Sequence, residues 1–250
     1  MNCRATISSL GALALVLSPD AASAEAWTQG KGERLSIYSF LYGAADRRIG
    51  GGDADFRKYE FGYYTEYGVL DRFTAVFRGP VRQAEDGDQG GFGGEAELYG
   101  RYQAVSRDRF KATVSLGAGY GVADLNARDV ARAYDGWAVE VRGAAGWGAD
   151  RWFAQGAVGR RFIEGDGADE WRLDGTLGLK PWSKYEVYLR TGSTWRAADG
   201  DRSADQFHKL QATGVRKLGA YRIEFGGGAA VLGDGAPAER FATLALWRSF

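Results

Sequence analysis

Apart from Cys3 the chain has no cysteine, and apart from His208 no histidine. One thiol excludes a disulfide framework and any cysteine-based zinc site. One imidazole confines Ser-His or His-metal chemistry to a single position. Methionine occurs once and proline four times in 250 residues. Beyond the first two dozen positions no stretch approaches the roughly 20 apolar residues that a membrane helix requires. Any bilayer crossing must then be made by strands, the other arrangement that satisfies backbone polar groups in lipid. Net charge is missing too, since 32 Lys and Arg balance 32 Asp and Glu. Without a basic field nothing draws the chain to nucleic acid, and no such partner is expected.

What is present in excess is glycine, 38 residues, and aromatics, with 8 Trp, 13 Tyr and 13 Phe. Both suit a barrel wall, in which aromatics collect at the two membrane interfaces. The first residues form a separate unit: Arg4, an apolar run from Ala5 to Leu17 that ends at Pro19 and Asp20, and the small residues Ala21-Ala22-Ser23-Ala24. This pattern reads as a secretory signal over 1–24, with the mature chain starting at Glu25. Cys3 would leave with it, and its placement does not resemble a lipid-anchor site.

The rest of the chain alternates with period two. Trp171, Leu173, Gly175, Leu177 and Leu179 share one face, while Arg172, Asp174, Thr176, Gly178 and Lys180 share the other. A helix would scatter these charges around a cylinder, and a strand collects them on one side. Strands are predicted near 33–42, 56–69, 72–82, 93–105, 109–121, 136–147, 151–163, 169–180, 184–196, 206–218, 220–232 and 239–250. Short turns fall at 70–71, 106–108, 148–150, 181–183 and 219. Longer polar loops are predicted around 43–55, 83–92, 122–135, 164–168, 197–205 and 233–238. Alternating short and long connections describe an all-β fold: a single antiparallel transmembrane β-barrel of twelve strands over 25–250, of the outer-membrane type. A soluble β-sandwich is the structural competitor. The terminal Phe250, following Leu244 to Trp247, resembles the C-terminal signal read by the outer-membrane assembly machinery, with Arg248 as a departure from it. The expected surroundings are therefore outer-membrane lipid and lipopolysaccharide.

With the apolar parity turned to lipid, the other parity lines the interior. It carries Lys58, Glu60, Tyr64 and Glu66; Glu95, Glu97 and Arg101; Glu140 and Arg142; Arg161, Arg172 and Asp174; Glu186 and Arg190; and Lys209, Arg222 and Glu224. Interleaved acid and base on the walls of a water-filled passage would orient dipolar or charged solutes. The alternative is that these groups pair across a narrow, plugged interior, because ionised side chains cut off from water need partners. Glycines of inward parity, Gly117, Gly119, Gly121, Gly226 and Gly228, leave room for a solute or for large neighbours.

Other chemistry is weakly supported. His208 has Ser193 and Ser203 within sequence reach, and some outer-membrane lipases place Ser and His together on a barrel's outer face. Phe207 and Lys209 around it match no catalytic signature, so no catalytic residue is assigned. The loop acids Glu85, Asp86, Asp88, Glu164, Asp166, Asp169, Asp199, Asp201 and Asp205 lack the spacing of a calcium loop. They are interspersed with Arg47, Arg48, Arg128, Arg132 and Arg202 and read as solvated tips. No metal or cofactor is expected.

The run Lys58-Tyr59-Glu60-Phe61, continuing through Tyr64-Thr65-Glu66-Tyr67-Gly68-Val69-Leu70-Asp71-Arg72-Phe73-Thr74, resembles a hairpin of proteobacterial outer-membrane barrels assigned to phenol degradation (MetA-pathway type). Ala26-Trp27-Thr28-Gln29-Gly30-Lys31-Gly32-Glu33 is similar as well. The resemblance covers about a fifth of the chain. It implies a barrel that takes up aromatic or other small hydrophobic compounds, and it brings no catalytic residue. The function expected is a passive channel or transporter for small solutes. A non-conducting structural or surface-interaction barrel and a lipid-modifying enzyme are the alternatives.

Overall fold

The computed structural model describes residues 25–123, 135–164, 169–196, 205–233 and 236–250. It contains twelve strands: β1 (Arg34–Arg47), β2 (Asp53–Leu70), β3 (Phe73–Asp86), β4 (Gln89–Arg107), β5 (Phe110–Ala123), β6 (Gly136–Gly148), β7 (Trp152–Ile163), β8 (Glu170–Trp182), β9 (Tyr185–Arg196), β10 (Asp205–Leu218), β11 (Tyr221–Gly233) and β12 (Arg240–Ser249). Each pairs antiparallel with its neighbours in sequence, and β1 pairs with β12, from Leu35 opposite Ser249 to Ala44 opposite Arg240. The sheet is a closed barrel and not a sandwich, so it has no free edge to protect.

The connections fall into two sets. Residues 71–72, 108–109, 149–151, 183–184 and 219–220 join strands at one end, which also holds the start of β1 and the end of β12. This is the short-turn end. The connections at the opposite, long-loop end are longer, with one exception. A loop is predicted over 83–92, but β3 and β4 continue through it to Asp86 opposite Gln89, leaving only Gly87 and Asp88 as a turn. Gly87 has a φ of 61° there, a conformation that favours glycine. The first loop likewise shrinks to 48–52, since β1 and β2 extend beyond the apolar stretch. In both cases polar composition marks strand that stands clear of lipid.

The outward parity suits the closed barrel to a membrane. Leu98, Leu116, Val141, Leu173, Leu189, Phe225 and Leu244 are all exposed at mid-height. Exposed aromatics flank this band: Tyr59, Tyr120, Trp137, Phe162, Trp171 and Trp195 toward the long loops, and Tyr67, Tyr102, Trp147, Trp152, Trp182 and Tyr221 toward the short turns. A continuous apolar band between two aromatic girdles is the exterior of a transmembrane barrel.

Inside, glycine makes room for large neighbours. A Cβ on Gly117 would lie 2.2 Å from the Tyr99 ring, and one on Gly119 would lie 2.5 Å from Glu97 Cγ. Tyr99 and Glu97 can therefore lean across β5 into the barrel's centre.

Candidate functional site

The interior has two unlike halves. Toward the short turns it is packed with Ile37, Tyr64, Val76, Tyr99, Tyr188, Val215, Ala245 and Trp247, joined by Leu35 and Phe153. Into this half runs the chain segment that precedes β1, residues 25–30. Ala26 is fully buried, and the Trp27 ring meets Phe153 edge-on at 6.0 Å. Contacts continue from Phe153 to Tyr188 at 5.7 Å and from Tyr188 to Trp247 at 6.2 Å.

The wall supplies a partner to residue after residue of this segment. Thr113 Oγ1 donates to the Glu25 carbonyl at 2.6 Å, and Gln103 Nε2 donates to the Ala26 carbonyl at 3.3 Å. Arg101 donates to the Trp27 carbonyl at 3.3 Å. The Gln29 amide donates to Thr74 Oγ1 at 2.9 Å, and its side chain donates to Glu66 at 2.5 Å. Gly146 and Gly68 are shaped to the segment: a Cβ on the first would strike the Trp27 ring at 2.6 Å, and one on the second would strike the Gly30 carbonyl at 1.9 Å. Residues 25–30 thus form a strap across the barrel ahead of β1.

Above the strap lies a charged half. Lys58, Glu60, Glu97, Glu140, Arg142, Arg161 and Arg190 are buried there, while Tyr64, Glu66, Arg101, Glu186 and Glu224 are buried nearer the short turns, Glu66 and Arg101 against the strap itself. Glu95, Arg172, Asp174, Lys209 and Arg222 sit on the same inward parity, partly buried. Glu140 is the hub. Arg161 lies 3.1 Å from its carboxylate, Arg78 3.2 Å, Arg142 3.4 Å and Arg172 3.6 Å, and the Tyr99 hydroxyl donates to it at 3.1 Å. Glu97 binds Arg78 and Arg161. Glu170 joins Arg172 at 3.0 Å to Arg196 at 2.5 Å.

Outlying pairs close the circuit. Arg101 binds Glu66 at 2.6 Å, and Arg190 binds Glu224. Glu186 receives Lys217 at 2.6 Å and Arg222 at 3.6 Å. Several contributors escape the sequence reading. Arg78, Arg82, Glu170 and Arg196 carry a signal that alternation supplies, since they share the inward parity of Thr74 or of Arg172 and Arg190. Glu239 carries it as well, heading the strand predicted over 239–250 on the parity of Phe241 and Ala245, whereas Glu25 carries none, because it lies outside every predicted strand.

A cavity of about 230 Å³ occupies the charged half. Its floor is Glu25, Arg142, Gln155 and Asp174, and it continues to Phe56, Arg196, Phe207 and Pro237 near the long-loop rim. Leu41, Phe56, Phe207 and Phe241 add an apolar wall. This is space for one small solute with both polar and apolar surface.

Glu239, between β11 and β12, ties this rim together, accepting Lys58 at 2.8 Å and Lys209 at 3.0 Å. Burial alone would raise its pKa, but Lys209 and Lys58 outweigh it and bring the carboxyl down to about 2. A depressed carboxylate contributes stability that is complete above its unfolded pKa and fades as pH falls toward the folded value. We expect the wild-type barrel to lose on the order of 3 kcal/mol through Glu239 between about pH 5 and 2. Denaturant midpoints measured across that window should fall less steeply for Glu239→Gln; parallel curves would show that Glu239 contributes nothing there.

His208 lies on the outward parity near the long-loop end. Ser193 Oγ meets its Nδ1, and Thr191 Oγ1 meets its Nε2 at 3.2 Å. Both ring nitrogens face hydroxyls, and among the described residues no carboxylate is bonded to the imidazole to orient it in a triad. Asp86 is held by Arg48, and Asp169 by Arg160 at 3.0 Å. Residues 1–24, where a secretory signal is expected, and Arg128, Arg132, Asp166, Asp199, Asp201, Arg202 and Ser203 lie outside the described residues. Phe250 closes the seam, donating its amide to the Arg34 carbonyl at 2.9 Å, with the Arg248 guanidinium 4.2 Å over its ring.

No protein-family model and no curated protein matches the chain. Solved structures do. The COG4313 outer membrane channel from Pseudomonas putida F1 is similar with a TM-score of 0.73 at 12% identity, over 92% of this chain and 100% of that one. The NanC porin is similar at 0.61 and 8% identity, over 84% and 98%. The translocator domain of the autotransporter NalP from Neisseria meningitidis is similar at 0.55 and 10% identity, over 89% and 90%. These likenesses establish an outer-membrane-type barrel, a fold that serves a channel, a porin and a translocator alike.

Proposed function

We propose that this chain is a passive outer-membrane channel for small solutes, in which the cavity is the selective stage and residues 25–30 close the way below it. The observation that carries this reading is the cavity itself, lined by acid and base and continuing from mid-barrel to the long-loop rim. A barrel that served only as scaffold would gain more by packing that space than by leaving several arginines around it. The likeness to a channel and a porin supports the reading, and so does the hairpin's resemblance to the MetA-pathway barrels. Phe56, Phe207 and Phe241 suit a solute with an aromatic or aliphatic body. The apolar band would meet outer-membrane lipid and lipopolysaccharide, after export under the leader and assembly through Phe250.

The packed short-turn half favours a second reading, a barrel that conducts nothing. Planar-bilayer recording separates the two. Arg172 borders the cavity and is partly exposed. For the intact chain we expect discrete current steps, and for Arg172→Gln a reversal potential moved toward cations in a salt gradient. Folded barrels that stay silent, both intact and with residues 25–30 deleted, would leave the structural reading in place.

A further inference from the structure

The segment 25–30 carries one charged side chain, Glu25. Its carboxylate lies on the cavity floor and receives Arg142 Nε at 2.5 Å. Arg142 spends its other nitrogens on the wall, Nη1 toward Glu140 at 3.4 Å and Nη2 on Asp174. Two of its three acidic partners are thus fixed in strands β6 and β8, and the third comes from a segment outside the sheet. Every other contact of that segment described above is ring packing or a hydrogen bond in which the segment takes part through neutral groups, among them the Trp27 carbonyl that accepts from Arg101.

We propose that Arg142 is a carboxylate-binding site of the cavity and that Glu25 is its tethered occupant. A small organic carboxylate arriving from the long-loop side takes the place of Glu25 on Arg142, and the segment loses its one ionic anchor. This rests on the channel reading and adds to it a substrate class and an opening step.

Three features support it. The exchange replaces one carboxylate–guanidinium pair by another, so no charge is left buried alone at Arg142. The Glu25 side chain is 19% exposed, against 2% for Glu140 and 34% for Asp174, and of the three it alone is not fixed in a strand. Strand β6, which bears Arg142, lies six positions around the barrel from β12, which bears Phe241, with Leu41 beside it on β1. A molecule with a carboxylate at one end and an apolar body would span that gap. Because the competitor is tethered, its effective concentration is of millimolar order, and a free solute needs a similar concentration to displace it. Solute binding and release of the segment are then linked, each favouring the other.

The test uses benzoate, with benzamide as its uncharged counterpart, added to the long-loop side of intact protein purified from membranes and placed in planar bilayers. Millimolar benzoate is expected to raise the open probability several-fold, and benzamide to leave it unchanged. Glu25→Gln should open more often without any solute and no longer respond to benzoate. If the intact chain ignores benzoate while the 25–30 deletion conducts, the exchange is wrong and the channel reading survives. An equal response to both compounds would overturn the carboxylate assignment. If the deletion is silent as well, the channel reading fails and takes the exchange with it.

Discussion

Deleting residues 25–30 is expected to raise single-channel conductance several-fold over the intact barrel. The segment threads the half of the interior that is already narrowed by Phe153, Tyr188 and Trp247, and Trp27 is its bulkiest member. Removing it opens space beside those rings and frees Arg101, Gln103, Thr113 and Glu66, which then meet water rather than lipid. Groups that exchange a protein partner for water lose little, so the barrel should still assemble. Trp27→Ala should fall between the two, because it keeps the main-chain bonds and removes the packing. Recording all three proteins under one salt condition decides the matter. Equal conductance throughout would place the constriction in the wall aromatics alone.

Glu140→Gln should cost about 3–5 kcal/mol of stability, as expected when one partner of a buried charge network is removed. Four guanidinium groups converge on that carboxylate within 3.6 Å. Glutamine keeps the shape and deletes the charge, leaving the arginines to repel one another beside the remaining acids. Restoring the balance with Arg161→Met in the same protein should recover part of the loss, which is the signature of coupled sites. Glu85, exposed on β3, is the control, and its glutamine variant should stay within about 0.5 kcal/mol of wild type. Guanidinium unfolding from detergent micelles, followed by tryptophan fluorescence, reads all four proteins. A Glu140→Gln protein as stable as the Glu85 control would mean that the interior charges are individually hydrated and hold nothing together.

The fold was legible because alternation and turn chemistry are local. Trp171 to Lys180 sorts its side chains in ten residues, and Gly219 stands where β10 must reverse into β11. The misreading of 83–92 has the same origin. Glu85, Asp86 and Asp88 look like loop, yet strands that rise out of the membrane have polar outward faces too, and pairing of Phe56 with Asp86 continues the ladder there. Parity likewise assigns Glu140 and Arg142 to one face, but no pattern along the chain says that Arg78, Arg161 and Arg172 surround Glu140. That depends on the diameter and stagger of the closed sheet. The strap was illegible for a stronger reason: Gln103, Thr113 and Gln155 belong to β4, β5 and β7, and nothing local to 25–30 points to them.

The cavity is reached from the long loops and shut off from the short turns by residues 25–30. Thr176 lines that cavity, and because Cys3 is the one native cysteine, a Cys3→Ser background makes a cysteine at 176 a single reporter. The direct measurement is the labelling rate of Thr176→Cys by a charged, membrane-impermeant thiol reagent applied to oriented vesicles from each side in turn. Labelling should be rapid from the long-loop side and slow from the short-turn side until residues 25–30 are removed. Equal rates from both sides in the intact protein would contradict that closure.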